Sequence, residues 1–188
     1  MRFALLLLPA LALAGCGGTA PGNAAGAENV VAAENVAAPA AETRGWDELF
    51  AKPASEAIAI FEKLSLRPGA YEVMGDMHMS HGAPISLADT AAGKKNTLAF
   101  TASGDASQLQ GVSFDVVIED QAQAEASRQR ALESIGNVLR VAGLDGEAVV
   151  KAALTADAKP ATGKVAGANY AVLRKDARTT INFTKQSN

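Results

Sequence analysis

The chain has few of the residues that carry thiol, imidazole or aromatic chemistry. Its 188 residues include one cysteine, two histidines and 5% aromatic residues. A single cysteine, Cys16, excludes a disulfide bond within the chain and leaves the rest of the sequence without thiol chemistry. We therefore expect a protein that binds rather than catalyses.

The chain also has little excess charge of either sign: its formal net charge is −3, and acidic and basic residues are interspersed. Sustained binding to a polyanion needs clustered lysine and arginine, so nucleic acid is not an expected partner. The closest basic group is Arg174, Lys175 and Arg178. We interpret it as charge that solvates a hairpin and discourages edge pairing, with a contact to anionic lipid headgroups or glycans as the alternative.

Long apolar runs are absent as well. The longest apolar segment, residues 3–13, follows Arg2 and contains Pro9. A membrane-spanning helix needs about 20 apolar residues, so this segment is too short to span. A short apolar run behind a positive charge is typical of a secretory signal peptide.

The next four residues, Leu13-Ala14-Gly15-Cys16, resemble the lipobox of bacterial lipoproteins. The resemblance implies cleavage before Cys16 and acylation of its thiol, with chains such as palmitate holding the protein in a membrane. Each buried CH₂ contributes about 0.8 kcal/mol, so two or three chains anchor firmly. Gly17, in the place of an aspartate, implies the outer membrane facing the periplasm if the source is Gram-negative. An ordinary signal peptide followed by a chance cysteine is the alternative.

Residues 1–15 are thus predicted to be a signal peptide, 16–45 a lipidated tether and 46–188 a single domain. The tether consists mostly of alanine, glycine, proline, asparagine and glutamate, and Ala-Glu-Asn-Val occurs at 27–30 and again at 33–36. Such a composition buries too little apolar surface to offset the entropy of ordering. A flexible spacer is the prediction, and a short alanine-rich helix is the alternative.

Periodic apolar residues begin at Trp46 and predict helices at both ends of a strand-rich segment. A first helical turn at 46–50 precedes a helix opened by Pro53 and stopped at Pro68-Gly69. The longest helix is expected after Asp120, with Gln123 reaching back in a capping box and Gly143 ending it. Apolar residues at spacings of three and four predict one buried stripe on this helix, formed by Leu132, Ile135, Leu139 and Ala142. A shorter helix is expected at about 146–156.

Alternating apolar and polar residues predict about five strands. They are expected at 71–81, about 96–103, about 109–119, 164–174 and 178–185, with a turn near Asp176. Runs of strands separated from runs of helices favour an α+β fold, with an antiparallel sheet and helices packed on one face.

The segment from Met74 to His81 contains both histidines and every methionine except Met1. It resembles the methionine- and histidine-rich runs of periplasmic copper-handling proteins, and soft sulfur ligands select Cu(I). Strand alternation predicts a soft site from Met77, Met79 and His81, and a harder Cu(II) or Zn²⁺ site from Asp76 and His78. The alternative is that Met77 and Met79 fill the core, where methionine adapts to irregular gaps.

Three functions remain open at this point. The first is a lipid-anchored envelope lipoprotein that acts as a non-catalytic accessory or inhibitor module on a protein partner, with no cofactor. The second is periplasmic copper binding through residues 74–81. The third is a carboxylate-dependent hydrolase of envelope polymers. The sequence has no Gly-x-Ser-x-Gly, His-Glu-x-x-His or glycine-rich phosphate motif.

Overall fold

The computed structural model describes residues 45–64 and 66–187 as an α+β fold with an antiparallel sheet. The α-helices are α1 (Gly45–Ala51), α2 (Ala54–Glu62), α3 (Ala124–Ala142) and α4 (Glu147–Ala153), and a 3₁₀ turn spans Gln121–Gln123. The strands are β1 (Glu72–Met74), β2 (Met77–His81), β3 (Ile85–Ser86), β4 (Asn96–Gly104), β5 (Leu109–Ile118), β6 (Ala161–Val165), β7 (Ala168–Lys175) and β8 (Arg178–Lys185).

The sheet runs β1-β2-β4-β5-β8-β7-β6, with β3 also paired to β4. Strands β2 and β3 bind consecutive stretches of the same edge of β4, because β2 pairs with residues 101–104 and β3 with 97–98. Gly82 lies at the break, where a Cβ would approach the carbonyl oxygen of Leu66 to 2.5 Å. The chain leaves β5 through α3 and α4 and returns so that β8 pairs with β5.

One face of the sheet carries the core, as the period-two alternation predicted. Phe100 of β4, Phe114 of β5 and Ile181 of β8 lie directly opposite one another and are all buried. Helices α1, α3 and α4 pack on this face, which also holds Val112, Val116 and Phe183. The predicted α+β fold with an antiparallel sheet is therefore confirmed for the described residues.

Helix α3 follows the predicted stripe closely. Ile135, Leu139 and Ala142 are buried, and Leu132 is half-buried against the same core. Gly143 ends the helix with φ 67°, in the left-handed region that glycine adopts at low cost. No described helix is long and apolar enough to cross a membrane.

The expected number of strands, about five, is wrong: the described residues form eight. The segment predicted as one strand at 71–81 is a hairpin, in which Gly75 and Asp76 turn β1 into β2. Gly75 has φ 67° at the first central position, which a two-residue II′-type turn requires. Strand β3 lies between the expected strands at 71–81 and 96–103, where no strand is predicted. The first strand of the C-terminal meander, β6, pairs with β7 through a separate tight turn.

The predicted capping box is also wrong. The Asp120 carboxylate accepts a hydrogen bond from the backbone N–H of Ala122 and caps the 3₁₀ turn, so α3 begins four residues later at Ala124. Gln123 cannot reach back to the backbone N–H of Asp120, because that group donates to Asn96 Oδ1 at 2.9 Å. A side chain from a distant strand thus takes the place that the capping box would fill.

Candidate functional site

The methionine hairpin, residues 72–81, brings three thioethers onto one face of the sheet. Met74 and Met77 lie directly opposite each other across the hairpin, and Glu72 lies opposite Met79. Directly opposed residues share a face, as do residues two apart along a strand. Met74, Met77 and Met79 therefore all point away from the helices.

The side-chain directions expected for the two central methionines are reversed in the structure. The strand residue that faces the core is Ser80, which is fully buried and donates to the Gly69 carbonyl at 2.7 Å. Met77 is 42% exposed and Met74 is 47% exposed, while Met79 is half-buried. The interpretation of Met77 and Met79 as core residues is wrong, because the turn at Gly75 and Asp76 and the pairing with β4 set a different register.

His81 shares the face of Met77 and Met79 but lies at the far end of β2. Its Nδ1 is 3.0 Å from Thr101 Oγ1 on β4. Four residues of extended strand place Met77 and His81 about 13 Å apart, which exceeds the combined reach of a thioether and an imidazole to one ion. The register does not favour binding of a single ion by Met77, Met79 and His81 together, and this ligand set stays a prediction.

The predicted hard-ligand pair, Asp76 and His78, is divided between a turn and a strand. Asp76 lies in the turn of the hairpin, and His78 points to the helix side, with its ring centroid 5.6 Å from that of Tyr71. Within the described residues, no three histidine, aspartate or glutamate side chains lie close enough to hold one ion. The methionine thioethers are a separate case.

The face of the sheet that lacks helices, called here the open face, is lined by small polar side chains. Its residues are half-buried in the middle, and larger side chains lie at its ends. In register order its central residues are Thr97, Ala99, Thr101 and Ser103 of β4, Ser113, Asp115 and Val117 of β5, Thr180 and Asn182 of β8, and Asn169, Ala171 and Leu173 of β7.

Positive charge lies at two separate places on the β6–β8 side of the open face. Lys175 and Arg178 lie directly opposite each other beside the β7–β8 turn, and Lys164 lies opposite Asn169. Neither Lys175 nor Arg178 forms an ion pair with a described residue. The carboxylate nearest the centre, Asp115, accepts a hydrogen bond from Thr180 Oγ1 at 2.5 Å.

Arg174, which the sequence groups with these cations, has a different role. It faces the helix side opposite Thr179, and its Nη1 donates to the carbonyl oxygens of Thr155, Ala156 and Ala158 at 2.8 to 3.3 Å. The arginine therefore binds the loop that follows α4. The expectation that these cations protect a sheet edge is wrong, because β7 and β8 are both interior strands.

Asp105 organises the turn between β4 and β5. Its carboxylate accepts hydrogen bonds from Ser107 Oγ and N, from Gln108 N and from Gln110 Nε2 at 2.6 to 3.0 Å. The side-chain and backbone bonds from Ser107, with the backbone bond from Gln108, hold the pKa of Asp105 well below its usual range. Burial raises the pKa of the nearby Tyr71 phenol, and the Asp105 carboxylate adds to that effect.

A second carboxylate, Asp120, lies in a buried polar node with Asn96 and Ser127. Asn96 Nδ2 donates to Ser127 Oγ at 2.8 Å and to the Asp120 carbonyl at 3.2 Å. The backbone N–H of Ala91 is the main cause of the lowered pKa of Asp120, and its bond to Ala122 and the nearby Lys94 lower it further. A lowered pKa keeps both carboxylates ionised at neutral pH, where they accept hydrogen bonds and have no proton to donate as a general acid.

Comparison with known proteins adds no relative: no protein-family model, no curated protein and no solved structure matches this chain. Cys16, the predicted lipidation site, lies outside the described residues, as do the predicted signal peptide and all of the tether except Gly45.

Sequence reasoning missed Met74 as a member of the methionine face, and it missed the open face as a surface. The Gly75-Asp76 pair was the available signal, because Gly-Asp between two apolar-rich runs is typical of a two-residue hairpin turn. With that turn in place, Met74 falls opposite Met77. No local signal marks Asn96, whose partners lie 24 and 31 residues away.

Proposed function

We propose that this chain is a lipoprotein of the bacterial cell envelope, anchored by acyl chains on Cys16. We propose further that its α+β domain binds a protein partner with an acidic surface through the open face of the sheet, without catalysis. The lipobox resemblance supports the anchor. The observation that carries the binding role is a broad sheet face on which none of the described helices packs.

The size of the open face suits a protein partner. The six neighbouring strands β2, β4, β5, β8, β7 and β6 have five to ten residues each. At about 3.3 Å per residue and about 4.8 Å between strands, they cover roughly 700 Å². A stable protein complex of standard size buries about 800 Å² on each side. A flat or convex protein surface can contact the short side chains of this face together.

The charges on the open face favour acidic residues in the partner. Like charges that lie directly opposite each other on neighbouring strands destabilise a sheet, and Lys175 and Arg178 form such a pair. A carboxylate placed between them would relieve this repulsion and steer the encounter. Lys164 lies beside Asn169 at the other end of β7, so the positive pair consists of Lys175 and Arg178 alone.

Site-specific photo-crosslinking in native envelopes tests the binding face. A benzophenone side chain is introduced at Ala171 or Asn182 on the open face, and at the exposed positions Ala126 or Gln129 of α3 as matched controls. We expect one discrete adduct from both open-face positions and none from α3. Lys175→Glu with Arg178→Glu should abolish that adduct. The binding role is refuted if the adduct forms from α3 instead, or survives the charge reversal.

The anchor is tested separately, by mass spectrometry of the mature protein and by fractionation of Cys16→Ser. We expect an acylated Cys16 at the new N-terminus and loss of the variant from the membrane fraction. An unmodified thiol in the mature protein, or an intact start methionine, would contradict the anchor and leave the crosslinking result unaffected.

A further inference from the structure

We propose that Met74, Met77 and Met79 form a binding site for one Cu(I) ion on the open side of the methionine hairpin. The hairpin register brings these three residues together, whereas Met77, Met79 and His81 are spread along the single strand β2. Met74 lies opposite Met77, and Met79 follows Met77 by two residues on the same face. The inference is independent of the protein partner proposed above.

The spacing of the three residues fits a trigonal site. Directly opposed residues have Cβ atoms about 5 Å apart, and a diagonal neighbour lies about 7 Å away. Residues two apart along a strand are separated by about 6.6 Å. The three Cβ atoms thus form a compact triangle, and each flexible side chain is long enough to bring its sulfur to the middle.

The ligand chemistry selects the ion. Thioethers are soft, neutral ligands that favour Cu(I), whereas Zn²⁺ and Cu(II) sites are built from imidazole, carboxylate or thiolate groups. Binding forms three Cu–S bonds and releases no proton, because a thioether carries none. The copper enters and remains as Cu(I), so no electron is transferred. Glu72, directly opposite Met79, supplies a nearby negative charge to the cation.

Met74 and Met77 lie at the exposed tip of the hairpin, where Val73 on the other face is exposed as well. Methionine is among the residues most often buried, yet Met74 and Met77 are two of the five exposed large apolar side chains among the described residues. Among residues 45–64 and 66–187, which the structure describes, strand β1 pairs with β2 alone, so there the sheet continues on one side of it only. Unpacked thioethers keep the freedom to converge on an ion, which core methionines lack.

The test is a competition titration of the detergent-solubilised full-length protein with Cu(I) and bicinchoninate, without oxygen. We expect one Cu(I) per chain, and X-ray absorption should show sulfur neighbours only. Met74→Leu, Met77→Leu and Met79→Leu should each weaken binding by about tenfold or more, since even loss of an outer-shell partner costs that much. His81→Ala, the matched control on the same face, should leave the affinity nearly unchanged.

Met-to-Leu substitutions conserve volume and cost little stability, and unchanged circular dichroism will confirm that each variant folds. Three outcomes would overturn the proposal. The first is that the wild type does not retain Cu(I) against the competitor. The second is that the Leu variants bind Cu(I) as tightly as the wild type, and the third is that His81→Ala weakens binding as much as the Leu substitutions do. The one other methionine, Met1, lies in the predicted signal peptide.

Discussion

Replacing Trp46 with alanine tests whether α1 is an integral part of the domain. Trp46 is fully buried, and its ring stacks on Phe183 at a centroid distance of 4.6 Å and on Phe50 at 5.7 Å. Its indole N–H donates to the Asp145 carbonyl at 2.6 Å. One side chain thus joins the first helix to the last strand and to the loop before α4.

The expected loss follows from these contacts. Truncating a buried Phe or Trp to alanine costs about 3–5 kcal/mol, and Trp46 also loses a hydrogen bond of about 1 kcal/mol. We expect the free energy of unfolding to fall by about 4 kcal/mol, out of the roughly 5–15 kcal/mol that a domain has. At about 4 °C per kcal/mol for a domain of this size, the melting temperature should fall by roughly 15 °C.

Two further variants separate the contributions. Trp46→Phe keeps a stacked ring but removes the N–H donor, so we expect a loss of about 1–2 kcal/mol. Val141→Ala on the exposed face of α3 should change stability by less than about 0.5 kcal/mol. The measurement is urea unfolding followed by far-ultraviolet circular dichroism. A loss below about 1 kcal/mol for Trp46→Ala would refute the docking of α1 and move the start of the domain beyond it.

Two other predictions concern buried and turn polar groups. Asn96→Ala leaves the buried Asp120 N–H and Ser127 Oγ without their partner, so unfolding free energy should fall by about 2–4 kcal/mol, against little change for the exposed Asn137→Ala. Asp105 has a lowered pKa in the folded state, so its contribution is present above its ordinary pKa of about 3.9 and is lost as the pH falls below it. Asp105→Asn should therefore flatten the loss of stability between about pH 5 and about pH 2, and an unchanged acid limb would contradict this.

Long periodic segments could be predicted because their own side chains determine their orientation. Strand β5 alternates over seven residues, 112–118, so its buried face follows from the sequence in the only register that covers the core. Helix α3 repeats its apolar stripe over more than four turns and ends at a glycine. In β5 and in α3, one residue that departs from the period does not change which face is predicted to be buried.

Short strands could not be predicted in the same way, because their orientation depends on a partner. Strand β2 has five residues, and its alternation allows either face to point to the core. Pairing of Ser80 with Ala102 decides between them, and Ala102 lies more than 20 residues away. Without this pairing, the sequence-based alternative assigned Met77 and Met79 to the core side of the strand, which Ser80 occupies in the structure. The ligand set of a metal site is therefore harder to predict than the fold that carries it.

The division of the sheet into two faces separates stability from binding. Phe100, Phe114 and Ile181 hold the helices on one face, while both proposed sites use side chains of the other face, which contribute little to the core. Substitutions at Met77 or Lys175 should therefore change binding and leave the unfolding free energy nearly constant. Substitutions at the helix-side residues should do the reverse. A variant such as Met77→Leu that unfolds the domain would show that the open face carries core packing after all.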